Sequence, residues 1–213
     1  MGLLRFSAFF LFFLISCTDS KREKVVPLID ENNVEKIKDG SCSFDSNKAK
    51  IIWKGFKTTD RIQVTGQFEQ FESSRDMKQF DSLEGLIDGL DFSISTISSV
   101  SGDPIRDLNL KAYFFKLLTS NFKLSGYLGR PNGGLIPVTF NTLLGSKTVE
   151  LDYFFENNVV RIEGLIDIGM DLGGIMAYES IHKQCEELHT GGDGVSKTWR
   201  EVEVLIKVPI IQN

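Results

Sequence analysis

Polar and apolar residues alternate at every step from Arg61 to Glu69, with Ile62, Val64, Gly66 and Phe68 on one side of the count. A period of two sends successive side chains to opposite faces of a strand, so this segment is a strand with one buried face. Val202, Val204, Ile206 and Val208 repeat the pattern between Glu201, Glu203, Leu205 and Lys207. Val149, Leu151 and Tyr153 carry it again; Asn157-Asn158 breaks it; Val160, Ile162, Gly164 and Ile166 resume it. Asn tolerates the left-handed backbone of a tight turn, so this stretch predicts a hairpin. Runs near 49–57, 90–97, 121–128 and 134–143 bring the total to about eight strands with short connections. The expected fold class is mainly β, an eight-stranded antiparallel barrel. Such a sheet closes on itself, leaves no exposed edge and encloses side chains or one small ligand.

Two or three short helices accompany the strands. Asp103-Pro104 offers a capping residue followed by Pro at the first helical position, and Leu110, Phe114, Leu117 and Leu118 follow at helical spacing. Residues 175–188 form a second candidate, and Leu83, Leu86, Ile87 and Leu90 suggest a short third turn. Residues 17–41 are polar, mixed in charge and contain Pro27, which reads as a flexible tether. Residues 42–213 show no repeat and no second linker and are expected to form one domain.

The start of the chain differs from everything after it. Arg5 is followed by an apolar run through Phe9, Phe10, Leu11, Phe12, Phe13, Leu14 and Ile15. The run is about 11 residues, short of the roughly 20 that span a bilayer and suited to the core of an export signal. Leu14-Ile15-Ser16-Cys17 resembles the lipobox of bacterial lipoproteins. The resemblance implies that residues 1–16 are removed and that Cys17 is acylated and becomes the first mature residue. Two or more acyl chains hold a protein stably on a membrane where one does so marginally. The expected location is the periplasmic face or the outer membrane and cell surface, tethered rather than inserted.

Composition narrows the partners. Hydrophobic residues make up 41% and charged residues 25% of the chain, which belongs to a folded protein rather than a disordered one. Arg5 is the only charge in residues 1–16, so the net charge of −5 becomes −6 once they are removed. A mildly acidic domain without a basic stripe is no nucleic-acid binder. With Cys17 acylated, Cys42 and Cys185 remain as one possible disulfide in an oxidising compartment. Closing a loop of about 140 residues would contribute roughly 5 kcal/mol in the chain-entropy model, and the pair is expected to be bonded.

The order of motifs resembles the YceI-like family of exported, lipocalin-like barrels linked to polyisoprenoid or other lipid binding. Lys57 through Val64, Gly66 and Phe68 is similar to the family's early strand pair. Arg106-Asp107-Leu108-Asn109-Leu110 through Phe114-Phe115 is similar to its R-D-x-H-L segment, and Thr142 through Gly145, Thr148 and Val149 to its central hairpin. Lys197-Thr198-Trp199 through Val204, with Cys42 and Cys185 flanking the domain, looks like one bacterial branch of it. The likeness covers about residues 42–210. Asn109 stands where many members have His, and residues 167–174 replace a later family motif, so the resemblance implies the barrel and a lipophilic guest but not which guest.

Candidate chemistry is sparse. His182, Cys185 and His189 share one face of a continuous helix and are all zinc-ligand types. Cys185 has the better use with Cys42, and the helix is expected to end near the Gly-rich residues 190–194, so no metal site is expected. Ser98 through Gly102 is no nucleophile elbow, and neither a phosphate loop nor an H-E-x-x-H motif occurs. No catalytic residue and no cofactor is expected. Phe68, Phe92, Phe114, Phe115, Phe140 and Tyr153 are the expected interior aromatics, either as plain core or as the lining of an apolar cavity. Arg106 either pairs locally at its helix start or meets a ligand headgroup at the barrel mouth. Two functions follow. One is a membrane-anchored lipoprotein carrying an isoprenoid- or acyl-like lipid in the barrel. The other is a surface interaction protein whose barrel is filled by its own side chains. Oligomeric state is left open.

Overall fold

A computed structural model of the chain describes residues 41–212. The export signal of residues 1–16, Cys17 and the tether as far as residue 40 lie outside the described residues.

All eight predicted strands form. They are β2 (Lys50–Lys57), β3 (Ile62–Phe68), β5 (Asp91–Ser95), β7 (Lys123–Leu128), β8 (Leu135–Thr142), β9 (Gly145–Glu156), β10 (Val159–Asp167) and β11 (Glu201–Gln212). Three short pieces join them: β1 (Cys42–Phe44), β4 (Phe71–Glu72) and β6 (Ser99–Val100). Every ladder is antiparallel, in the order β4-β5-β7-β8-β9-β10-β11-β2-β3-β6, with β1 added beside β11. Asn157 and Asn158 take the left-handed backbone at the β9–β10 turn, with φ of 51° and 59°, as the sequence predicts.

The two ends of that order belong to one hairpin. β3 and β4 are a single strand bent at Glu69-Gln70, and β5 and β6 are a single strand interrupted by a turn at Thr96–Ser98. Phe71 pairs with Ile94 and Phe68 with Ser99, so the bent strands close the sheet into an eight-stranded barrel. Ser98 pins the bend: its Oγ accepts the backbone N–H groups of Glu69 and Gln70 at 3.2 and 3.0 Å. The seam is narrow. From Ile62 to Gly66, β3 has a ladder only with β2, and the wall is split there.

Among the described residues, three helical stretches cover the ends. α1 (Leu83–Ile87) is capped by Ser82, whose Oγ accepts from the Gly85 N–H, and it buries Leu86 and Ile87. The second helical stretch begins as α2 (Pro104–Asn109), widens into a π-helical turn (Leu110–Phe115) and ends as α3 (Lys116–Leu118). Asp103 caps it through the Ile105 and Arg106 N–H groups, with Pro104 opening the first turn. α4 (Ile175–Gln184) packs against the π-helical turn. No helix among the described residues is long and apolar enough to cross a membrane.

The expected disulfide is absent: Cys42 and Cys185 are both free and buried. Cys42 pairs with Gln212 at one end of β11, whereas Cys185 lies beside Lys57 and Thr198 at the other. A strand of that length spans about 35 Å, and a disulfide needs its Cα atoms within about 7 Å. Sequence separation favoured the bond; the barrel axis keeps the thiols apart.

Candidate functional site: a cavity at one end of the barrel

Alternate residues of β11 turn inward as a single row, and the row divides the interior in two. Val202, Val204 and Ile206 line a cavity of about 280 Å³. Ile206, Val208 and Ile210 line a second, wholly apolar space of about 40 Å³. Ile51, Ile94, Phe140 and Ile206 border both, so they form the partition. Below it Phe44, Leu86, Ile136, Leu151 and their neighbours pack the barrel down to that small space. Above it the barrel is hollow.

The hollow half is built by β2, β3, β11 and the two long helical stretches. Trp53 faces inward on β2 opposite Gly66 of β3. A Cβ on Gly66 would stand 2.3 Å from the indole ring, so only glycine leaves room for this ring to lie across the strand. The Trp53 Nε1–H donates to Ser99 Oγ at 3.1 Å, which satisfies the indole's one polar atom. The π-helical turn contributes Leu110, Phe114 and Phe115 to one wall. Its wider turn brings residues four and five apart onto one face, where an α-helix would drift, and such turns recur at functional sites. Phe115 meets Phe68 edge-on at 5.7 Å and Phe114 at 5.2 Å.

The cavity reaches solvent at a mouth, because Ile105 and Leu188 line it and are also strongly exposed. Polar groups gather at this end. Lys57, Asp103, Arg106, Asn109, His189 and Thr198 all border the space. Arg106 uses two of its nitrogens locally: Nε donates to Ser101 Oγ at 2.8 Å and a terminal nitrogen donates to the Ser101 carbonyl at 2.9 Å. Ser101 in turn donates to Asp107. The local pairing and the position at the mouth therefore hold together.

Thr198 joins the two histidines of the chain. His182 Nδ1 lies 3.0 Å and His189 Nδ1 2.6 Å from its hydroxyl, and Tyr178 donates to its carbonyl at 3.0 Å while stacking on His182. A hydroxyl donates once, so one imidazole receives its proton and the other donates to its oxygen. Burial, helped by the Lys57 charge and by His182, pushes His189 down to about 4. Burial also raises the thiol of Cys185, against the opposing pull of Lys57 and of a hydrogen bond from Asn109. Among the described residues no three His, Cys, Asp or Glu side chains are grouped to hold a metal ion; both histidines turn to Thr198 instead.

The sequence-predicted residues separate into three places. Phe68, Phe114, Phe115, Phe140 and Arg106 come together around the large cavity. Phe92 lies below the partition, edge-on to Phe140 at 5.7 Å, and lines the small space. Tyr153 packs against the core beside neither cavity, and burial raises its hydroxyl to about 12. The sequence pattern did not single out Trp53 or Tyr178, and it marked Lys57, Thr198 and Trp199 only as motif residues; all five line the large cavity. The signal for Trp53 lay in Gly66, a missing side chain in an otherwise regular strand.

No protein-family model and no curated protein matches the chain, but solved structures do. A polyisoprenoid binding domain from Saccharophagus degradans, implicated in plant cell wall breakdown, aligns with a TM-score of 0.55 at 12% identity, over 81% of this chain and 98% of that one. BcnA from Burkholderia cenocepacia aligns at 14% identity over 79% and 99%, with a TM-score of 0.47. The YCEI protein of Campylobacter jejuni aligns at 15% identity over 70% and 85%, with a TM-score of 0.44. At these identities the likeness is one of fold, and the Saccharophagus domain carries it: the chain shares the barrel fold of that domain.

Proposed function

We propose that the chain is an exported, lipid-anchored binding protein, not an enzyme, that holds the apolar chain of an amphiphile in the hollow half of its barrel. The observation that carries this reading is the cavity of about 280 Å³ walled by Trp, Phe, Leu, Ile and Val, with its charged groups confined to the mouth. Ligand pockets run from roughly 300 Å³ upward, mostly apolar with a few polar groups that set orientation. This one stands at the lower end, so it suits a single chain rather than a ring system. Lys57 and the uncommitted nitrogen of Arg106 offer positive charge to a head left at the mouth, and Asn109 offers an amide. The Saccharophagus domain of the same fold is a polyisoprenoid binding domain, which supports an isoprenoid- or acyl-like guest. A barrel filled by its own side chains describes the lower half only, which leaves the interaction-protein reading without its main support. Anchoring through Cys17 belongs to the proposal and rests on the lipobox-like residues.

The test is uptake of a fluorescent isoprenoid or fatty-acyl probe by the wild-type chain and by Val204→Phe, which projects a ring into the cavity. Saturable uptake that the substitution abolishes is expected. Equal uptake by both proteins would remove the cavity from the account.

A further inference from the structure

The α2–α3 stretch is apolar on the side turned away from the cavity as well. Arg106, Leu110, Phe114 and Phe115 line the interior, while Leu108 stands 65% exposed on the outside and Ile105, at the cavity mouth, 67% exposed. An apolar stripe on the outer face of a surface helix marks a contact with something else. The stripe does not end with the helix. The Leu143 N–H donates to the Leu118 carbonyl at 3.1 Å, which ties the β8–β9 hairpin tip to the end of α3. Leu144 on that tip is 64% exposed. Ile105 both lines the cavity and stands in the stripe, so the apolar face is continuous with the mouth.

Charge identifies what covers it. Residues 108–149 contain no Asp or Glu but include Lys111, Lys116, Lys123, Arg130 and Lys147, in a chain whose net charge is −5. Lys123 pairs with Glu72, and Arg130 with Glu84 and Asp88. Lys111, Lys116 and Lys147 are exposed on the helix and the hairpin tip and make no ion pair among the described residues. Exposed leucines flanked by lysines without ion pairs suit a surface that is apolar within and anionic at its boundary, which is a bilayer containing acidic lipids.

We infer that the α2–α3 helix and the 143–147 hairpin tip dock the domain on an anionic membrane, seating the cavity mouth against the headgroups. An apolar chain then passes between bilayer and cavity without crossing water. The purpose of this docking rests on the carrier reading, and the test separates the two.

Hydrogen–deuterium exchange is measured on the mature chain, residues 17–213, carrying Cys17→Ser, which removes both the apolar signal and any acyl anchor. Vesicles are phosphatidylcholine alone or mixed with phosphatidylglycerol. Protection of residues 104–118 and 143–147 is expected on the mixed vesicles only. Each of Lys111→Gln and Lys116→Gln should weaken binding roughly fivefold, and Leu108→Ser with Leu144→Ser should abolish local protection while the circular dichroism spectrum is unchanged. Exchange in both segments that ignores mixed vesicles, or protection that survives these substitutions, would overturn the docking. Protection that appears without vesicles and grows with protein concentration would also overturn it, assigning the face to a second copy. Co-purifying lipid is assayed on the same samples. Bound lipid without vesicle protection sinks the docking alone; vesicle protection with a persistently empty cavity supports the docking and sinks the carrier reading.

Discussion

Gly66 stands directly opposite Trp53 across the β2–β3 ladder, and the indole ring occupies the space that a side chain on residue 66 would fill. From that berth Trp53 lines the cavity. Gly66→Ala forces the ring off its berth, and overpacking of this kind costs about 1–3 kcal/mol. Chemical denaturation should show that loss, and probe uptake should fall as the ring swings into the cavity. Unchanged stability and uptake would mean that the berth has slack.

A second relationship governs pH. His189 is held at about 4 by burial, whereas an unfolded histidine takes up a proton near 6.5. Between these values the unfolded chain binds the extra proton, so stability is full above about pH 6.5 and falls as the pH drops toward 4. After allowance for the ring's partial contact with solvent the loss is about 2 kcal/mol. His189→Asn should flatten the slope of denaturation midpoint against pH within that window. Retention of the full slope would place the titrating group elsewhere.

The thiols give a third prediction. Burial raises both Cys42 and Cys185, which keeps the reactive thiolate scarce, and both are buried, Cys185 on the cavity wall. An alkylating reagent should label neither residue in the native protein and both after unfolding, and reductant should leave the melting temperature unchanged. Recovery of a Cys42–Cys185 peptide under non-reducing conditions would contradict the fold.

Asp167 supplies the fourth. At the end of β10 it is buried, accepts the Gly169 and Met170 N–H groups at 2.8 and 2.9 Å, and meets Arg200 at 3.1 Å. Asp167→Ala leaves those donors without a partner, at about 2–3 kcal/mol. Calorimetry checks the loss. Because Ile168 beside it lines the cavity, probe uptake should fall with it.

Much of the barrel was legible because its strands obey one rule. The alternation of Val64, Gly66 and Phe68, or of Val202 through Val208, states which side faces inward, and the structure keeps that parity, while Ile62 at the strand's start stands exposed. β4 and β6 were not legible: they are two-residue continuations of β3 and β5 past a bend, and two residues carry no period. The π-helical turn was hidden because Leu110, Phe114 and Leu118 also fit an α-helical count. The predicted helix over 175–188 ends at Gln184, and His189 follows in a separate short turn. Phe92 and Tyr153 show the remaining limit. Parity sends a side chain inside but does not tell which half of the barrel it enters, and that is decided by the partition at Ile51, Ile94, Phe140 and Ile206.

The central claim is that the hollow half of this barrel carries a lipid. Native mass spectrometry of the chain purified gently from membranes, followed by organic extraction, addresses it most directly. One isoprenoid- or acyl-chain lipid per protein is expected, released on unfolding and absent from Val204→Phe. Protein that is empty in every preparation and takes up no such lipid when offered it would contradict the account.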